Sequence, residues 1–347
     1  MRILVTGGTG FIGTHTVRAL LGAGHDVRLL VRNEEKARHL WAEQPQVLED
    51  LVVGKITSGP ATVEALQDCD GLIHTAAPVA LAVSRAEARR IARENLRSVR
   101  LLIDRALEDG LQRIVHLSTT ALFDIRGQQI ANEETPIVSG GDTYALSKSA
   151  PERHLRALQD QGAPIAIVYP PGVIGPDDPG LSEAMRGIQQ FLEATVMITS
   201  SGFQIVDVRD VAAVHLALVE REPPRPGRFI ATGRYMPWEE FAELLDRAAG
   251  IRLPRVHLPG RLVRAFGRIG DRLRPFYRDL DPTISREATR LATQWVAFDA
   301  SRAESELGVK FRDPVETLYD TVRWLAEQGH VDPARALRFT HPGRGRN

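Results

Sequence analysis

The run TGGTGFIG, residues 6–13, constrains this chain more than any other stretch. It follows directly on an apolar, strand-like segment, Ile3–Thr6, and opens an amphipathic one, Ile12–Leu21. Gly7, Gly10 and Gly13 are spaced G-x-x-G-x-x-G. Glycines so placed permit a tight turn, close approach of backbone to a pyrophosphate and close packing of helix on strand. The helix N-terminus then offers backbone N–H groups to phosphate oxygens. Glycines alone also mark ordinary turns; the strand before and the helix after supply the context that gives the pattern meaning. A dinucleotide-binding turn is therefore expected, with Gly7, Gly10, Phe11, Ile12 and Gly13 at the cofactor.

The first half of the chain continues in the same rhythm. Short apolar runs at Asp26–Val31, Val52–Val53, Gly71–Thr75, Arg113–Ser118 and Ile165–Tyr169 alternate with helical patterns such as Ile91–Leu107. Strands that are apolar throughout, separated by helices, predict a parallel sheet covered on both faces. Right-handed crossovers leave a doubly wound, Rossmann-type α/β sheet. Past Tyr169 the rhythm breaks at PPGVIGPDDPG, a Pro- and Gly-rich loop. A sheet-like run returns at Phe203–Val208, with helices from Asp210 and Trp238. The expected organisation is a cofactor-binding domain from residues 1–170 with 203–235, and a smaller, mostly C-terminal substrate lobe from 171–202 with 236–335. Pieces of the later sequence return to the first domain, and the tail 336–347 is expected to be disordered.

Charge and cysteine content narrow the functional classes. Forty-four basic and forty-four acidic residues cancel, which removes a global case for nucleic acid. The single cysteine, Cys69, excludes an intrachain disulfide framework and fits a reducing compartment. MRILVTGG reads as a strand rather than a signal peptide, and no apolar run approaches the roughly 20 residues of a membrane span. A cytoplasmic protein without an integral membrane segment is expected, and no metal is called for.

The second strand ends in LLVRNEEKA. In a dinucleotide fold the residue at that point faces the adenosine ribose, where an acid would accept from the 2′-hydroxyl of NAD. Here Arg32 stands there, with Lys36 one helical turn later. Cations suit the 2′-phosphate of NADP, which is the expected cofactor, NAD being the alternative.

YALSK, residues 144–148, places a phenol and an ammonium at i and i+4, on one face of a helix. A free Tyr titrates near ~10, whereas a useful acid–base group sits closer to ~7. The gap of about 3 units corresponds to roughly 4 kcal/mol of phenolate stabilisation, which Lys148 and an oxidised nicotinamide together could provide.

With the glycine turn, this pair completes a resemblance to the extended short-chain dehydrogenase/reductases, the NAD-dependent epimerase/dehydratases. The likeness runs nearly end to end, through TGGTGFIG, HTAA (74–77), ENLRSVRLL (94–102), HLSTTALF (116–123), YALSKSAPE (144–152), PPGVIGP (170–176), VDVRDVAAVHLAL (206–218) and FDASRAESELG (298–308). The resemblance implies that Tyr144 exchanges a proton with the substrate oxygen. Lys148 positions the ribose and lowers the Tyr144 pKa, and a Ser or Thr hydrogen-bonds the same oxygen. The family places that hydroxyl third in its run, ahead of a small residue, which selects Thr120 before Ala121. Ser118 is expected to satisfy backbone groups, and Thr119 is undecided. The likeness also puts Thr75, Ala76, Ala77, Pro170 and the backbone of Val173 at the cofactor. Asn95 is read as support behind Lys148. Lys55 replaces the family's adenine-binding Asp, leaving Ile56 to pack on the ring, and Tyr169 replaces an Arg and is read as core.

Dehydratases of this family carry an Asp-Glu pair directly after the active Thr; Ala121 and Leu122 stand there instead. The expected reaction is reversible, NADP-linked reduction of a ketone or aldehyde, in the manner of dihydroflavonol reductases and 3β-hydroxysteroid dehydrogenases. Two other readings are a sugar-nucleotide epimerase with tightly bound NAD and an NADP-binding regulator without turnover. Pro78, Val79 and Phe123 are expected to line an apolar substrate pocket. A homodimer is compatible with the family.

Residues 251–278 hold eight arginines against one acid, Asp271. Leu262, Phe266, Ile269 and Leu273 recur there at helical spacing beside Arg261, Arg264, Arg268 and Arg272. The expectation is an amphipathic helix of the second lobe with its charged face in water. Peripheral membrane contact and docking of an anionic substrate are the other readings.

Overall fold

The computed structural model describes residues 1–77, 84–126, 128–138, 143–273, 286–291, 293 and 295–332. Seven strands form the main sheet: β1 (Arg2–Thr6), β2 (Asp26–Val31), β3 (Leu51–Val53), β4 (Gly71–His74), β5 (Arg113–Leu117), β6 (Ile165–Tyr169) and β7 (Gly227–Ile230). Their order is β7-β6-β5-β4-β1-β2-β3, and every neighbouring pair is parallel. Ile3, Leu4 and Val5 have no exposure, as expected for a strand covered on both faces. Alternation along the strands divides the core. Ile3, Val5, Ile73, Val115 and Val168 pack with Val17, Leu20, Val214 and Leu218 on one face. Leu4, Leu72, Ile114 and Ile167 pack with Val99, Leu102 and Leu155 on the other.

The helices used below are α1 (Phe11–Gly22), α2 (Glu34–Leu40), α3 (Arg85–Val99), α4 (Thr143–Asp160), α5 (Glu183–Glu193), α6 (Val208–Glu220), α7 (Trp238–Ala249), α8 (Gly260–Leu273) and α9 (Pro314–Glu327). α1 and α6 share one face of the sheet, joined where Thr16 Oγ1 and His215 Nδ1 lie 2.9 Å apart in the core. α3 and α4 pack together on the opposite face, where Asn95 Nδ2 donates to the Ser147 carbonyl at 3.2 Å. The helical pattern at Ile91–Leu107 is realised as α3 running into a π-helical stretch, Arg100–Asp104, and a last turn to Glu108.

Beyond β6 the chain builds a second apolar centre. Met185, Ile188 and Leu192 of α5 meet Phe241, Leu244 and Leu245 of α7 and Leu318, Val322 and Leu325 of α9. Phe203 stacks on Trp238 with ring centroids 4.4 Å apart. The same cluster takes in Phe11, Val173, Val206 and Val211, so apolar packing is continuous from the glycine turn into this region. Within the stretch 236–335, residues 301–309 return to the sheet: Ala303 and Val309 pack with Val214 and Phe229. β7 carries no clear apolar alternation (Gly-Arg-Phe-Ile) and was not among the expected strands. Phe203–Val208, expected as one run, is divided into the strands Gly202–Phe203 and Ile205–Asp207, which pair with different partners. Among the described residues no helix is long and apolar enough to cross a membrane. The tail 336–347 lies outside the described residues.

Candidate cofactor and active site

The carboxyl ends of the parallel strands gather the expected site residues along one edge. Gly7 follows β1, Arg32 follows β2, Ile56 lies just beyond β3, Thr75–Ala77 follow β4, Ser118–Thr120 follow β5 and Pro170 follows β6. β1 lies between β2 and β4, and the chain leaves it in one direction before returning on the other side. Open α/β sheets form their ligand crevice at such a switch point.

The glycine turn is a cradle that side chains would fill. Gly7 has φ +81°, and a Cβ there would lie 2.5 Å from Thr75 Oγ1 and 2.8 Å from the Ala76 nitrogen. A Cβ on Gly13 would lie 2.0 Å from the Gly7 carbonyl oxygen. Helix and turn are therefore in direct contact, and the α1 N-terminus faces the turn with unencumbered backbone; this geometry fits a dinucleotide pyrophosphate. Thr75 Oγ1 donates to the Thr6 carbonyl at 2.8 Å, tying the β4 end to the turn. The Phe11 side chain is spent on the core, edge-on to His15 at 5.7 Å, and Val173 is buried in the same cluster, so both have only backbone to offer a ligand. Ile12 is half-buried against that cluster, and Ile56 packs against the opposite one.

Arg32 and Lys36 are exposed, and neither is ion-paired with a described residue. Asn33 Oδ1 accepts from the Lys36 N–H at 2.9 Å and caps α2 between them. At the far end of α2, Trp41 Nε1 donates to the Gly8 carbonyl at 3.1 Å. The sequence reading did not anticipate this bond.

The three adjacent hydroxyls have separate fates. Ser118 Oγ donates to Glu152 Oε2 at 2.7 Å, rather than to backbone as expected. Glu152 Oε1 also accepts from Tyr169 OH at 2.5 Å and Arg156 Nε at 2.7 Å, so Tyr169 is core but hydrogen-bonded. Thr119 Oγ1 accepts from the Ala121 N–H at 3.2 Å and caps a 3₁₀ turn, Thr120–Leu122. Thr120 is buried, and its hydroxyl reaches the Pro170 carbonyl only at 3.5 Å.

Tyr144 and Lys148 project from the first turns of α4, both half-buried. Lys148 borders a cavity of about 10 Å³, the size of one water, with His74, Asn95, His116 and Ser118 in its wall. Burial pushes the Lys148 ammonium down to about 8, and no described carboxylate pairs with it. His74 and His116 are register partners on β4 and β5, with ring centroids 5.1 Å apart. Burial, then Lys148, holds His74 down to about 3, and burial, then the neighbouring His74 and Lys148, holds His116 well below the usual imidazole range. His116 Nδ1 is buried without a hydrogen-bond partner among the described residues. Neither histidine was singled out beforehand, although the i, j pairing of HTAA and HLST on adjacent strands holds the signal. Phe123, expected at the substrate pocket, is 1% exposed and packs against Tyr169 at 5.0 Å; it lines no surface. Pro78 and Val79 lie outside the described residues.

Comparison with known proteins identifies the family of the chain. The model of the NAD dependent epimerase/dehydratase family matches residues 3–230. A protein of Synechocystis, provisionally named as a dihydroflavonol 4-reductase, is 31% identical over 94% of this chain and 95% of its own length. Sterol demethylase protein B of Methylococcus capsulatus is 28% identical, over 95% of this chain and all of its own. The crystal structure of gox2253 superposes with a TM-score of 0.79 at 27% identity, covering 95% of this chain and 99% of that one.

Proposed function

The chain belongs to the NAD-dependent epimerase/dehydratase family, and from that premise we propose that it is an NADP-linked oxidoreductase interconverting a ketone or aldehyde with its alcohol. The observation that carries this reading is the half-buried ammonium of Lys148, unpaired with any described carboxylate and one helical turn from the Tyr144 phenol. A buried charge without a partner is unfavourable in a purely structural role and is typical of groups tuned for chemistry. The residues that would hold the dinucleotide are the backbone of Gly7–Gly13, Arg32 and Lys36 at the 2′-phosphate, Ile56 beside the adenine, Thr75–Ala77, Lys148, Pro170 and the backbone of Val173.

When bound, the nicotinamide supplies hydride to the substrate carbon or takes it up. Tyr144 gives its phenolic proton to the carbonyl oxygen during reduction and recovers one during oxidation. Thr120, whose hydroxyl has among the described residues only a long contact to Pro170, can turn and donate to the same oxygen. Lys148 favours the phenolate by charge, and Ala121 and Leu122 leave no carboxylate beside Thr120 for loss of water. The relative named as a dihydroflavonol 4-reductase supports carbonyl reduction, and the one named as sterol demethylase protein B supports a bulky, apolar substrate. NADPH oxidation followed across aldehydes, ketones and ketosteroids is the test. Turnover should appear with at least one class and vanish in Tyr144→Phe while NADPH still quenches protein fluorescence; retained turnover in that variant overturns the assignment.

A further inference from the structure

α8 exposes the face that the sequence pattern would bury. Leu262, Phe266, Ile269 and Leu273 are 48, 55, 49 and 41% exposed. At about 100° per residue they fall within an arc of roughly 60°, one straight stripe about 16 Å long. The side that packs on the protein is Val263, Gly267 and Gly270, all buried and mostly without side chain, about 100° round the helix. On the other flank Arg261, Arg268 and Arg272 form a second exposed row, and neither they nor Arg264 is ion-paired with a described residue. The expectation of a charged face in water over a packed apolar face is therefore corrected: glycines let the helix lie close by a narrow third face, and the large apolar side chains are left outside.

We propose that this face of α8 seats the protein on an anionic lipid bilayer. A continuous apolar stripe of this kind on a folded surface marks a contact with something else. Four exposed arginines on α8, Arg261, Arg264, Arg268 and Arg272, against one acid, Asp271, in a chain of zero net charge select a partner with dense negative charge. A second copy packing the same face antiparallel about a two-fold axis would set arginine row against arginine row. A bilayer surface meets both demands at once: the stripe enters the acyl boundary and the guanidinium row, its stems lying along the helix, reaches the phosphates beside it. Asp271 faces away from the stripe, where its carboxylate accepts from the Arg286 N–H at 3.3 Å. Trp295, 49% exposed, lies two residues beyond Thr293, whose side chain abuts Gly260 at the start of α8.

The test is flotation of the full chain with vesicles of phosphatidylcholine alone and of phosphatidylcholine with phosphatidylglycerol. Binding to the anionic vesicles is expected to exceed that to neutral ones by at least about 10-fold, given the worth of each basic residue near such a surface, and to fall with added salt. Phe266→Glu should abolish it, and a combined Arg261→Gln, Arg268→Gln, Arg272→Gln variant should lower it by about 10-fold or more. Both variants change exposed side chains, so unaltered thermal unfolding checks that they are folded. Absence of binding by the unmodified chain overturns the proposal, as does binding that Phe266→Glu leaves intact. A dimer in light scattering that Phe266→Glu dissolves, with no flotation, reassigns the face to a second copy.

Discussion

The Ser118 hydroxyl donates to Glu152 across 2.7 Å, joining the end of β5 to the middle of α4. Glu152 is 1% exposed and also holds Tyr169 and Arg156, so this bond is one arm of a buried junction between sheet and helix. Ser118→Ala should therefore cost stability, about 1–3 kcal/mol for a buried carboxylate left one donor short, and change kcat little. Thr120→Ala should show the reverse: near-normal urea unfolding and a kcat lower by on the order of 10²-fold. Paired unfolding and turnover measurements distinguish the two; equal kinetic losses would refute the division of labour among the three hydroxyls.

Lys148 also makes a signed prediction about pH. Its folded value, about 8, is depressed below the unfolded 10.5 by burial. Between those values the unfolded chain binds the extra proton, so this group's stabilising contribution is full above 10.5 and is lost as pH falls through about 8. Lys148→Met removes the titration. The stability difference between wild type and variant, measured without cofactor, should move in favour of the wild type as pH rises from 8 to 10. Parallel curves would show that the ammonium is not buried as described.

Acid should act through the buried histidines. His74 and His215 are each pushed by burial to about 3, far below the unfolded 6.5. Both are neutral in the fold and protonate on unfolding, so their contribution is present above 6.5 and is lost as pH falls from there toward 3. The slope for each is at most about 1.4 kcal/mol per pH unit. In His215→Gln the drop in urea midpoint between pH 7.5 and 5 should be smaller than in wild type; an unchanged drop would contradict a neutral His215.

Cofactor preference should reside in Arg32. Replacing it by Asp removes a charge-assisted contact to a 2′-phosphate, worth about 1.5–3 kcal/mol, or roughly 10- to 100-fold in NADPH affinity. NADH affinity should hold or improve. Fluorescence titration with both dinucleotides reads this directly, and an equal loss for both would move the 2′-phosphate contact elsewhere.

What the sequence made legible follows from how local its causes are. β1, β2 and β6 are apolar runs between turns, and Gly13 is required by contacts with Gly7 and Gly8 in its own βαβ unit, so spacing alone exposed them; the reason for Gly7, its approach to Thr75 and Ala76 after β4, needed the fold. Ser118–Glu152 was hidden because its partner is 34 residues away on another element. The His74–His116 pair needed strand register, which no apolar pattern encodes. α8 shows the limit most clearly. Its period predicted a helix with distinct faces, but a period does not say which face meets the protein, and here three small contacts at Val263, Gly267 and Gly270 outweighed four large side chains. Phe123 failed for the converse reason: an apolar residue just after Thr120 reads as pocket lining, and the aromatic packing around Tyr169 claims it.

The Trp41–Gly8 bond has a consequence for how such an enzyme could be redesigned. The indole fastens the far end of α2 to the Gly8 carbonyl, while the near end, capped by Asn33, runs directly on from β2 of the sheet. Arg32 and Lys36 thus sit on a strap whose backbone is anchored at both ends independently of either side chain. On the proposed reading, dinucleotide choice is a separable module: exchanging those two residues should retune cofactor preference without remaking the glycine turn.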